Sequence, residues 1–168
     1  NPGSLQHFAE SMVRAYRIAM TPPHEPVLIV LDEDLQELGI EEGAALHIPK
    51  FAIPSPPAGE INAVREVARL LAGAENPVIV ADRAARTQAG VKSLVQLAEL
   101  LNATVIDQGG RMNFPNMHPL YARGTGAVAR ADVILGLELT DFFGTVNEFI
   151  DSAEAQQSSR LRAGAKLI

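Results

Sequence analysis

From residue 60 onward, short β-branched segments alternate with helical stripes, and that alternation limits what the chain can fold into more than any other feature. Ile61, Val64, Ala68 and Leu71 recur at helical spacing, and Gly73 ends the pattern. Pro77-Val78-Ile79-Val80-Ala81 reads as a buried strand, and Val91, Leu94, Val95, Ala98 and Leu101 as the next helix. Thr104-Val105-Ile106 follows as a strand, and a loop of a dozen residues leads to a short predicted helix over 125–131. Val133–Leu137 and Ala165–Ile168 supply two further strands. Strands that alternate with helices build a parallel sheet covered on both faces, so the expected class is α/β with a Rossmann-like topology.

The first 47 residues break this rhythm. Leu5, Phe8, Ala9, Met12, Tyr16 and Ala19 form one helical stripe with Ser4 as its cap, and Pro22-Pro23 stops it. Val27–Leu31 reads as a lone buried strand, followed by Asp32-Glu33-Asp34. One helix and one strand cannot cover each other, so residues 1–47 read as the closing part of another domain. Residues 48–59, IPKFAIPSPPAG, carry four prolines and neither period; they read as a linker, leaving residues 60–168 as an α/β domain incomplete at its end.

Composition excludes several functions. The net charge of −6 gives no sequence-independent grip on nucleic acid or an anionic membrane. With no cysteine, disulfides, thiolate metal sites and a cysteine nucleophile are all ruled out. The longest apolar run, Val27–Leu31, falls far short of the roughly 20 residues that span a bilayer. No export signal opens the chain, and a cytoplasmic protein is the default expectation.

Ligands of open parallel sheets sit beyond the carboxyl ends of the strands. Asp82-Arg83, Asp107–Arg111 and Glu138–Gly144 occupy those ends. A dinucleotide fold places G-x-G-x-x-G after the first strand, whereas this chain has Asp82-Arg83-Ala84-Ala85-Arg86. A carboxylate there opposes a pyrophosphate. Arg83 with Gly124 and Gly126 makes only a weak nucleotide signal, and solvated surface arginines are the favoured account of Arg83 and Arg86. Asp82 and Asp107 are expected to cap the helices that follow them. His7, His24, His47 and His118 have no metal-ligand spacing, and His118 reads as a hydrogen-bonded loop element. No serine sits in a G-x-S-x-G elbow. Phe142 and Phe143 are too apolar for an idle loop and either pack on the sheet or face a partner surface.

These segments, taken in order, resemble a known family. SMVRAYRIAMTPPHEPVLIVLDEDLQE is similar to the closing helix and strand of the pyrimidine-binding domain of thiamine-diphosphate-dependent enzymes. NPVIVADRAARTQAG, LVQLAELLNATVID, RMNFPNMHPL and ADVILGLELTDFFG resemble the central domain of the same enzymes, most closely acetolactate synthase and benzoylformate decarboxylase. The resemblance runs from about Ser4 to Ile168. It implies a parent enzyme that makes or breaks a carbon–carbon bond beside a carbonyl, as a decarboxylase or carboligase of 2-oxo acids. Thiamine diphosphate and magnesium would be its cofactors, held by a glutamate and a Gly-Asp-Gly motif that have no counterpart here. The catalytic residues are therefore expected elsewhere, and FAD is not expected, because Asp82-Arg83 stands where flavin-binding members carry small residues. The parent's remaining domains are the implied partners, in a homodimer or homotetramer. By segment alignment Phe143 stands near a substrate-pocket histidine of benzoylformate decarboxylase, which makes Asp141, Phe142 and Phe143 the substrate-pocket candidates. The alternative is a free-standing nucleotide-binding module of Rossmann type, and a purely structural interaction domain would use the same fold.

Overall fold

The computed structural model describes residues 2–22, 24–52, 55, 58–151 and 153–168. Pro23 of the expected helix stop, and Ile53, Pro54, Pro56 and Pro57 of the proline-rich stretch, lie outside them. The chain divides into two compact units, residues 1–58 and 59–168.

In the first unit, helix α1 (Leu5–Met20) starts where Ser4 Oγ accepts the His7 N–H. Helix α2 (Glu33–Glu37) is a short helix that starts within the acidic run, with Asp32 at its N-cap position and Glu33 and Asp34 in its first turn. The Gln6 amide exchanges hydrogen bonds with the backbone of His47 at 2.8 and 2.9 Å, and the Tyr16 ring meets Phe51 edge-on at 6.2 Å. Phe51 of the proline-rich stretch thus packs with α1. The segment 27–31 belongs to neither sheet, which corrects the strand expected there. Leu28 is 86% exposed. An apolar β-branched run needs a neighbour to complete its ladder, and the described residues of this unit contain no other strand to pair with it.

The second unit carries the parallel sheet. Helix α3 (Ile61–Ala72) is capped by the Glu60 carboxylate, which accepts from Asn62 and Ala63 N–H. It leads to β1 (Pro77–Ala81), α4 (Gln88–Leu101), β2 (Thr104–Asp107), β3 (Tyr121–Ala122), a 3-10 turn (Gly126–Arg130) and β4 (Val133–Leu137). After these come helix α5 (Phe142–Val146), an antiparallel hairpin of β5 (Asn147–Asp151) and β6 (Gln156–Ser159), and β7 (Lys166–Leu167). The sheet runs β3-β2-β1-β4-β7, with every pairing parallel. Side chains of a strand alternate between faces, and the core follows that period of two. Ile79, Ala81, Val105 and Leu135 pack beneath Leu71, Leu94 and Ala98 of α3 and α4, whereas Val78, Val80, Ile106 and Ile134 pack on Val128, Ala131 and Val146. The short edge strand β3, helix α5 and the hairpin had no legible sequence period. Two-residue pairing and a polar, bulged hairpin carry too few apolar positions to show one.

Candidate functional site at the carboxyl ends of the strands

The chain order of the sheet reverses between β1 and β4, so the crevice beyond these two strand ends is where such a fold would receive a ligand. Here the two ends are stitched together. Asp82 N–H donates to Leu137 O at 3.2 Å, and Arg83 N–H to Glu138 O at 3.4 Å. Asp82 is buried, and its Oδ2 accepts the Thr140 hydroxyl at 2.6 Å and the Thr140 N–H at 3.0 Å. Gly110 closes over the same carboxylate so tightly that a Cβ there would overlap Asp82 Oδ1. Arg86 and Glu138 form an ion pair across the crevice, and Glu138 has a positive φ of 50°. An apolar cleft of about 230 Å³ lies alongside, walled by Ala84, Ala85, Leu94 and Leu97.

A second network fixes the loop after β2. Asn113 is wholly buried; its Oδ1 accepts Ala85 N–H at 3.0 Å, and its Nδ2 reaches Asp82 O at 2.6 Å, Asp107 Oδ1 at 2.9 Å and Arg111 O at 2.9 Å. Asp107 accepts from the N–H groups of Gly109, Asn113 and Phe114. Phe114 fills the core and meets the His118 ring at 4.9 Å. His118 is a bonded loop element: its Nδ1 accepts Leu120 N–H and its Nε2 lies 3.3 Å from Glu99.

The expectation that Asp82 and Asp107 cap the following helices is corrected by these contacts. Thr87 caps α4, its hydroxyl accepting Gly90 N–H, while Asp82 ties β1 to the loop after β4 and Asp107 braces its own loop. Asp141 is the N-cap of α5 and accepts Gly144 N–H at 2.8 Å. Phe142 packs half-buried against the core, and Phe143 stands 54% exposed. Those three candidates sit together at the start of α5, Asp141 as its N-cap and the two phenylalanines in its first turn. Arg83 lies at the end of β1, whereas Gly124 and Gly126 flank Thr125, whose hydroxyl accepts Arg160 Nη1 at 2.8 Å. Sequence reasoning missed Asn113 and Thr140. Asn113 carried one signal, a polar residue set before Phe-Pro in the loop that the alternation required, and Thr140 carried none.

The Thr140 hydroxyl, aided by the N–H groups of Thr140 and Gly110 and by Arg83, holds the Asp82 carboxyl below its usual range against the effect of burial. Burial pushes Asp132 the other way, but the N–H groups of Glu75 and Asn76, at 2.7 and 2.9 Å, help to lower it overall. Carboxyls lowered by folding contribute stability above their unfolded values and lose it as pH falls through the lowered folded ones. Thermal melts should therefore drop steeply below about pH 4, the ordinary carboxyl range. The Asp82→Asn/Asp132→Asn double variant should show a flatter acid limb, and an unchanged limb would refute the assignment.

Residues 64–160 match the family described as "Thiamine pyrophosphate enzyme, central domain". The chain belongs to that family. Solved structures with the same fold include a protein of Mycobacterium smegmatis described as a thiamin diphosphate-dependent enzyme, at TM-score 0.63 and 20% identity. Benzoylformate decarboxylase from Polynucleobacter necessarius aligns at TM-score 0.62 and 23% identity. Each alignment covers 94% of this chain but only 30% and 29% of those proteins, so the chain spans under a third of their length. Among the described residues of this thiamine pyrophosphate enzyme central domain, no cluster of three or more His, Cys, Asp or Glu is placed to hold a metal ion. Nor is any helix among them long and apolar enough to cross a membrane.

Proposed function

We propose that the chain is the structural middle of a larger thiamine-diphosphate-dependent enzyme, a lyase or transferase acting on a 2-oxo acid or related carbonyl compound in the cytoplasm. The central-domain match over residues 64–160 carries this reading. The relatives' greater length supports further domains as partners, within a homodimer or homotetramer. Residues 1–47 would complete a neighbouring domain, consistent with the exposed, ladderless run at 27–31. Thiamine diphosphate and magnesium would be held by those other domains, where the family resemblance puts the cofactor glutamate and the Gly-Asp-Gly motif. No catalytic step is assigned to this chain.

The stitched crevice argues against a nucleotide in the central domain. A pyrophosphate entering there would meet the Asp82 carboxylate and displace Thr140 and Gly110 from it. At about 4 Å two like charges repel by several kcal/mol at an effective dielectric near 20. The residues present do not fit FAD, and this favours a scaffold over the free nucleotide-binding module. Phe143 is the substrate-pocket candidate with exposed surface to offer as an apolar wall, while Asp141 is engaged in capping α5.

Immunoblotting of the source should reveal a product about three times this length, to judge from the share of each relative that the chain covers. The chain itself, titrated calorimetrically with thiamine diphosphate and magnesium and then with FAD, should show no saturable binding at micromolar concentration. A yellow protein, or micromolar cofactor binding by these 168 residues, would overturn the scaffold reading.

A further inference from the structure

We propose that the crevice at the amino-terminal ends of β1 and β2 binds a small zwitterion of the α-amino-acid class, its carboxylate on Arg130 and its ammonium on Glu75. This pocket lies at the opposite end of the strands from the crevice described above, and the proposal does not rest on the thiamine reading. Its volume is about 220 Å³, room for roughly seven waters or one small amino acid. Glu75 and Asn76 enter from the turn before β1, Asn102 and Thr104 bracket the start of β2, and Arg130 ends the 3-10 turn.

The lining residues include an acid and a base of opposite charge, two asparagines and a threonine, side chains able between them to donate and accept hydrogen bonds. Among the described residues neither Glu75 nor Arg130 has an ion-pair partner, and they do not pair with each other. The nearby Asp132 carboxylate is already engaged with the N–H groups of Glu75 and Asn76. Those bonds fix the turn that carries Glu75, and the left-handed Asn102, at φ 49°, fixes the end of α4 opposite. An acid and a base on the lining of one anchored crevice, neither with an ion-pair partner among the described residues, suit a ligand that carries both charges. A simple anion or cation satisfies one of them and is repelled by the other.

Exposed charge pairs bind weakly, so the expected dissociation constant for alanine is a few millimolar. The test is a two-dimensional NMR titration of the full chain with alanine, beside propionate and ethylamine. Alanine should shift the amides of Asn76 and Thr104 saturably, and each one-charge analogue should bind at least about tenfold more weakly. Arg130→Gln and Glu75→Gln should each raise the alanine dissociation constant about tenfold, with Arg130→Lys retaining part of the affinity. Both side chains are exposed, and the amide spectrum of each variant verifies its fold directly. Absence of saturation below about 50 mM, equal binding of the analogues, or unchanged affinity in either folded charge variant would overturn the proposal.

Discussion

Replacing Asn113 with alanine is expected to lower the unfolding free energy of residues 59–168 by about 3–4 kcal/mol. The side chain is wholly buried, and it joins the ends of β1 and β2 to the loop that covers them. Truncation removes its bonds to Ala85 N–H, to the carbonyls of Asp82 and Arg111, and to Asp107. It leaves Ala85 N–H and Asp82 O without this partner in a buried space, while Asp107 keeps the N–H groups of Gly109, Asn113 and Phe114; an orphaned buried group costs about 1–3 kcal/mol. For a unit of this size the melting temperature should fall by roughly 15 °C. Asn113→Asp should not rescue it, because a carboxylate cannot donate to those carbonyls and would face Asp107. Thermal and urea unfolding of the two variants decide the matter: a loss under about 1 kcal/mol would show the network to be incidental.

The second large effect belongs to Phe114, and its mechanism is different. The ring is 1% exposed and sits in the core layer with Ile79, Val105 and Leu94. Phe114→Ala should cost about 3–5 kcal/mol, the lost transfer free energy plus the cavity left behind. Phe114→Leu, which keeps most of the volume, should recover more than half of that loss. The backbone N–H of Phe114 still reaches Asp107 in either variant, so the deficit reports packing rather than loop hydrogen bonding. If leucine proves no better than alanine, the ring's edge-on contact with His118 outweighs its volume.

Neither effect was visible in the sequence, and the reason is the same for both. Asn113 and Phe114 lie in a loop, where no period marks which residues turn inward. Their burial arises because Asp107 gathers three backbone N–H groups from positions two, six and seven residues ahead, which folds the loop back onto the sheet. Thr140 is a similar case. Its hydroxyl reaches a carboxylate 58 residues away, an encounter that only the β1–β4 pairing brings about. Asp82, by contrast, was legible as a strand-end carboxylate, and only its partner was misjudged. The sequence points to a helix cap, but the donor comes from Thr140 in the loop after the neighbouring strand β4.

The amino-acid order by itself determined the α/β class, four of the five strands in the parallel sheet and the long helices α1, α3 and α4. Each of those elements repeats an apolar residue at a fixed local period, and a period survives without knowledge of neighbours. The tertiary structure alone decided whether the apolar run at 27–31 became a strand, because a ladder needs a second chain segment and the described residues of its unit supply none. It also decided the edge position of β3 and the closure of the β1–β4 crevice through Asp82, Thr140 and Gly110. Hydrogen bonds between residues far apart in sequence depend on where the sheet brings them, and local periodicity carries no record of that.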